Sequence, residues 1–256
     1  MAVIQEELKP PVSATVALPV TRRSARHLGG WLAVAGWASL AAMWITGSAG
    51  VFGHDQEGLP AILAVGPFLV GWIVMVASMM LPSSLTTLRR VDQEWAAEAR
   101  AGAPRFMVGY FFAWALFGAA AFAGDRILHL SVGNVPWLAE RPSLIVGGAA
   151  MFAGLAELLG RTPPPTFPTI SPGGGSFYLG KAHAVDRIRR CWPLMLFAMA
   201  VGMSSPAWMV GLTLVMALEL RPRASTALRV IGLVVFALGA AVVIEPAWMP
   251  VLLGAE

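Results

Sequence analysis

Charge is scarce in this chain. Only 12% of its 256 residues are Asp, Glu, Lys or Arg, about half the share usual in a soluble domain. Cysteine occurs once, at Cys191, which excludes an intrachain disulfide and leaves the redox compartment unreadable from cysteine usage. The sequence signatures of common enzymes are missing too: no G-x-S-x-G, P-loop, H-E-x-x-H or G-x-G-x-x-G stands in the context its chemistry requires. An enzymatic activity is not expected. The net charge of +4 comes from loop arginines and points to the anionic inner leaflet of a membrane, not to nucleic acid.

What the chain has in excess is apolar sequence, 57% of its residues, gathered in helix-length blocks and not in the alternating ten-residue segments of an outer-membrane barrel. Windows of roughly 20 apolar residues place spans at about 30–47, 60–81, 105–124, 143–160, 192–218 and 226–247. The expected fold is therefore all-α, a polytopic membrane bundle of about six transmembrane helices forming a single domain over 29–250, behind a polar tail, 1–28. That tail is too long before the first apolar block, and lacks an A-x-A site after it, to read as an ordinary signal peptide. Residues 127–139, with His129, Pro136 and Trp137, are too short to span and read as an interfacial segment.

Lys and Arg set the expected orientation. Grouping the tail with the loops 82–105 and 161–191 collects Lys9, Arg22, Arg23, Arg26, Arg89, Arg90, Arg100, Arg105, Arg161, Lys181, Arg187, Arg189 and Arg190 on one side, thirteen of the eighteen. The positive-inside bias puts that side, and both termini, in the cytoplasm of a bacterial inner membrane. The loop 219–226 fits least, because Arg221 and Arg223 then lie outside.

Two motifs carry the chemistry. Trp72-x2-Met75-x3-Met79-Met80-Leu81-Pro82 closes the second span, and His183-x7-Cys191-Trp192-x2-Met195-x3-Met199-x3-Met203 opens the fifth. Two full crossings separate them, so they share a membrane face, and Glu157 near the end of the fourth span joins them there. Residues four apart lie within about 40° around a helix, so Cys191, Met195 and Met199 share a face, as do Met75 and Met79, while Met80 sits about 100° from Met79. Thiol and thioether donors select Cu(I), and imidazole accepts it. The candidate ligands are thus Met75, Met79, Met80, His183, Cys191, Met195 and Met199. Packing is the competing account, since methionine fills irregular gaps and favours aromatic neighbours, here with ten tryptophans to choose from. Glu157 costs on the order of 3 kcal/mol in a spanning helix unless partnered. It either pairs with Arg161 at i+4 or faces the sulfur cluster.

The run from Trp72 to Ser83, with Gly180-x2-His183, Cys191-Trp192-x-Leu194-Met195, Ala200-Val201-Gly202-Met203 and Trp208-Met209, resembles a bacterial family of multi-pass proteins described as predicted metal-binding integral membrane proteins. The resemblance covers roughly residues 60–245 and implies metal ligands at the matching positions. Where that family typically reads H-x3-C-x-G-C-C-W, this chain reads His183-x3-Arg187-x-Arg189-Arg190-Cys191-Trp192, with arginine at two of three sulfur positions. A cysteine pair usual after the fourth helix is also absent from the Pro-rich stretch that begins at Arg161. Adjacent guanidinium groups repel a cation at close range, and Arg187, Arg189 and Arg190 equally suit lipid phosphate or a partner's carboxylates.

The leading expectation is a membrane protein that handles a soft metal ion, copper, by binding, delivery or transport. The alternative is a non-catalytic subunit or assembly factor of a larger membrane complex in which the metal site has degenerated, with other subunits as partners besides the lipid bilayer. A small-solute transporter is the third reading, with too few buried charges to name a substrate.

Overall fold

The computed structural model describes residues 24–48, 60–94, 99–160, 175–201, 205–219 and 225–250. Among these residues the chain is all-α, as expected, with no strand. The helices are α1 (Ser24–Ile45), α2 (Ala61–Met79), α3 (Leu81–Glu94), α4 (Ala99–Gly133), α5 (Pro136–Ala139), α6 (Pro142–Leu159), α7 (Ser176–Val201), α8 (Pro206–Leu218) and α9 (Ser225–Ile244). Four stretches are long and apolar enough to cross a membrane: Ile62–Met79, Gly102–Gly133, Pro142–Leu159 and Thr226–Ile244. Gly29–Ile45 and Ala207–Leu218 are apolar but shorter.

The core lies where α2, α4 and α7 meet. Trp72 and Trp114 are fully buried, and the Trp72 indole N–H donates to the Trp114 carbonyl at 3.0 Å. Phe68 meets Phe122 with ring centroids 5.0 Å apart, so α2 and α4 run antiparallel. Between α4 and α7 the backbones nearly touch, because a Cβ at Gly109 would strike the Phe177 carbonyl and one at Gly180 the Phe106 carbonyl. Small residues of this kind let membrane helices approach where the hydrophobic effect offers no drive between them. The second close pair is α6 with α9, antiparallel, with Gly154 backed onto Gly232 and Gly147 onto Gly239.

Several sequence expectations change. The stretch 192–218, expected as one span, is two helices: α7 begins sixteen residues earlier, at Ser176, and ends at Val201, and α8 starts at Pro206. Pro206 sits at the first helical position behind Ser205 in extended backbone, a start that proline favours. The two helices fold back on each other. Phe197 meets Trp208 edge to face at 5.1 Å, and Leu194 on α7 lines one crevice with Gly211, Leu212 and Val215 on α8. In a continuous helix Cys191 and Glu219 would stand roughly 40 Å apart. Glu219 therefore lies at the Arg187 end of the pair, not across the membrane from it as the six-span reading requires.

The interfacial reading of 127–139 also changes. Residues through Gly133 continue α4, and only Pro136–Ala139 is a separate turn of helix. Pro193 lies inside α7, seventeen residues past its start at Ser176. His54-Asp55, Arg161, Met203 and most of the tail lie outside the described residues.

Candidate functional site

The break between α2 and α3 builds one wall of the site. Pro82 has no N–H to give the Ser78 carbonyl one turn back, so that carbonyl is free, and the Trp37 indole takes it at 3.1 Å. Met80 is left as a one-residue hinge, φ −97° and ψ −30°, its own N–H still bonded to Val76. Its carbonyl accepts from Ser83 Oγ at 2.7 Å and from Ser84 Oγ at 3.2 Å. In α3, Leu81, Ser84 and Leu88 then face inward at helical spacing.

The opposite wall is α7, where His183, Arg187 and Cys191 follow at i, i+4 and i+8. His183 Nε2 shares a hydrogen bond with Ser84 Oγ at 3.2 Å, and Ser84 reaches the Tyr110 hydroxyl at 3.4 Å. The imidazole packs against the neighbouring rings of Phe106 and Tyr110, with centroids 5.9 and 6.0 Å away. It belongs to the charged N-terminal half of α7, before the apolar stretch begins. Burial first, and the Arg187 charge second, push it down from the ordinary value to about 4. At neutral pH it is an uncharged imidazole, the form that binds metal.

At the centre stands Arg187, 3% exposed. Its Nη2 donates to Ser83 Oγ at 3.1 Å and approaches Met80 Sδ at 3.9 Å. Its Nε has no hydrogen-bond partner among the described residues. The Cys191 thiol, fully buried, donates to the Arg187 carbonyl at 3.0 Å. Arg190 pairs with Asp186, donating through Nε to Oδ2 at 3.2 Å and through Nη2 to Oδ1 at 3.1 Å. Arg189 is exposed.

Thus Met80, His183 and Cys191 all border one buried cluster around Arg187. Met75, Met79, Met195 and Met199 are buried in the core that surrounds it. Glu157 is half-buried, lining an apolar crevice of about 270 Å3 with Gly154, Leu194, Trp208 and α9 residues. Among the described residues no three His, Cys, Asp or Glu side chains group as a metal site.

Sequence reading passed over Ser83, Ser84, Tyr110 and Glu219. The first two stand directly behind the Met80-Leu81-Pro82 run, where a proline frees backbone carbonyls for hydroxyls to fill. Tyr110, one of two tyrosines, sits in an otherwise apolar span. Glu219 had no local signal, because only the fold-back of α8 brings it inward. It is 9% exposed, and neither carboxylate oxygen has a hydrogen-bond partner among the described residues. Burial pushes its carboxyl up, and the charges of Arg187 and Arg190 pull it back.

An all-α bundle with membrane-length helices, and a thioether, a thiol and a neutral imidazole around one buried cluster, defines a class: helical proteins equipped with soft-metal donors. The chain matches the PpoB2 family, described as a copper chaperone, over residues 69–242, well over half its length, and it belongs to that family. This match carries the copper part of the sequence expectation; it does not extend to the family of predicted metal-binding membrane proteins that the motifs resemble. No curated protein and no solved structure matches the chain.

Proposed function

We propose that this protein is a multi-pass membrane carrier that binds Cu(I) as cargo at the α2–α3 break, through Met80, His183 and Cys191, and delivers it to a partner without catalysing a reaction. The observation that supports this most is the arrangement around Arg187: Met80 Sδ touches its guanidinium, Cys191 Sγ bonds its carbonyl, and His183 lies one turn before it on the same face. Soft thiolate and thioether donors favour Cu(I) over hard cations, and a neutral imidazole completes a mixed set. Met79 and Met195, buried nearby, are the reserve sulfurs.

On this reading the Arg187 end of α7 faces the cytoplasm of the bacterial inner membrane, in keeping with the positive-inside bias. A second reading, an accessory subunit of a membrane complex with a degenerate site, draws support from the same guanidinium, since it occupies the face of Met80 that an ion would need. Cu(I) titration of the purified full-length protein against a chromophoric chelator separates the two. A carrier takes one Cu(I) per chain, and Cys191→Ser weakens it by more than the roughly 10- to 100-fold that loss of an outer-shell partner costs. Protein that competes for no Cu(I) would remove the carrier reading.

A further inference from the structure

Resting on that reading, we infer that Ser84 is a positioning residue: it holds the Nε2 proton of His183 and so leaves Nδ1 as the nitrogen that meets Cu(I).

An uncharged imidazole carries one ring proton, on Nδ1 or on Nε2, and its neighbours decide which. Ser84 has a single hydroxyl proton to give and two lone pairs to offer. Its Oγ stands 3.2 Å from the Met80 carbonyl, 3.4 Å from the Tyr110 oxygen and 3.2 Å from His183 Nε2. A carbonyl can only accept, so the Ser84 proton is directed at Met80 and shared with Tyr110. The Met80 carbonyl keeps a second lone pair for Ser83 Oγ, so the two serines do not compete. What Ser84 offers His183 is therefore a lone pair, and Nε2 is the donor.

The other ring nitrogen agrees. Nδ1 makes no hydrogen bond among the described residues. With the ring proton on Nε2 it carries a free lone pair. With the proton on Nδ1 it would be a donor without an acceptor, the rarer and costlier condition away from water. Rotating the ring by half a turn offers no escape, since that sets the carbon Cε1 against Ser84 in place of Nε2. The rings of Phe106 and Tyr110 pack against the imidazole and restrain that rotation.

Loading then needs no movement of the ring proton. Cu(I) takes the Nδ1 lone pair, Nε2 keeps its hydrogen and its bond to Ser84, and no proton leaves the imidazole. Binding through Nε2 would instead require the proton to cross to Nδ1 and the Ser84 bond to break. Metal-bound histidines ordinarily donate their second N–H to an oxygen, which fixes the tautomer and makes the ligating nitrogen more basic. Ser84 is that oxygen here, and it is itself anchored on the Met80 carbonyl, so the hinge that places the Met80 sulfur also aims the imidazole.

The test is magnetic resonance on the full-length protein in detergent with isotope-labelled histidine, the His183 signals being identified by their loss in His183→Phe. In metal-free wild type near neutral pH the ring shifts should report the Nε2–H tautomer alone. Ser84→Ala should give a mixture of both tautomers, and Tyr110→Phe should leave the wild-type pattern, because Ser84 still has the Met80 carbonyl to donate to. On loading with Ag(I), a soft ion whose nuclear spin couples to the nitrogen it binds, the coupling should appear at His183 Nδ1 while Nε2 keeps its proton. A serine that only packs would alter neither the tautomer nor the bound nitrogen when replaced. A tautomer unchanged in folded Ser84→Ala would overturn this inference and leave the carrier reading standing. If Ser84→Ala does not fold, wild type still decides: an Nδ1–H tautomer in the metal-free protein, or silver coupled to Nε2, overturns the inference alone. The Nε2–H tautomer in a protein that takes up neither Ag(I) nor Cu(I) would overturn the carrier reading, and the ligand role of Nδ1 with it.

Discussion

Arg187 and His183 hold the chemistry of the site at the level of single side chains. His183 is kept neutral by burial against Phe106 and Tyr110 and by the Arg187 charge, which has a consequence for stability. Its value falls from 6.5 in the unfolded chain to about 4 when folded, so below 6.5 the unfolded state binds the proton and the folded state does not. Stability is full above pH 6.5 and declines as pH falls toward 4, by at most about 3 kcal/mol from this group. Thermal melts should show that loss between pH 6.5 and 4, and His183→Phe should flatten it; a slope unchanged by the substitution would assign the acid sensitivity elsewhere. Ser84 fixes the orientation of the ring through Nε2. Ser84→Ala should weaken Cu(I) by roughly 10-fold, the lower end of what loss of an outer-shell partner costs, with the melting temperature little changed.

Between helices, the close approach of α4 and α7 is what brings Tyr110 to His183. Gly109 and Gly180 face each other's neighbouring carbonyls, so Gly180→Ala must push the helices apart. We expect a loss of about 1–3 kcal/mol, typical of overpacking, together with weaker Cu(I) binding; a stable Gly180→Ala protein with wild-type affinity would mean that the site does not depend on this contact. The apolar runs at 60–81, 143–160 and 226–247 are legible in the sequence because length and hydropathy alone define a membrane helix. The division of 192–218 is not, because apolar residues continue through Val201, Gly202 and Met203. Only Ser204-Ser205-Pro206 marks it. The polar stretch from Ser176 to Arg190 is equally opaque as a helix, since its inward face is set by Gly180 and Arg187 finding partners on α4 and α3. The soft donors themselves are legible from residue type and spacing; their polar partners are distant in sequence and appear only when the chain folds.

Across the whole molecule, the fold-back of α8 changes which loops share a side. The Ser225 end of α9 lies beside the Glu157 end of α6, and the Ile244 end near Gly147. Glu219 and Ser225 are thus level with Gly160, on the side that the positive-inside bias assigns to the cytoplasm. In a Cys191→Ala background, cysteines introduced at Glu140 and Ala247 should react with an impermeant reagent added outside, and those at Gly160 and Thr226 should not. Labelling at Thr226 from outside would reverse the arrangement and restore the six-span orientation. The apolar windows of α6 and α9 are only 28% buried, whereas the sulfur cluster sits in the core formed by α2, α4 and α7. That copper is bound there, by Met80, His183 and Cys191, is tested most directly by X-ray absorption at the copper edge on the Cu(I)-loaded full-length protein. A mixed shell of sulfur and nitrogen donors that loses nitrogen in His183→Phe and sulfur in Cys191→Ser is the predicted result, and a shell indifferent to both substitutions would contradict it.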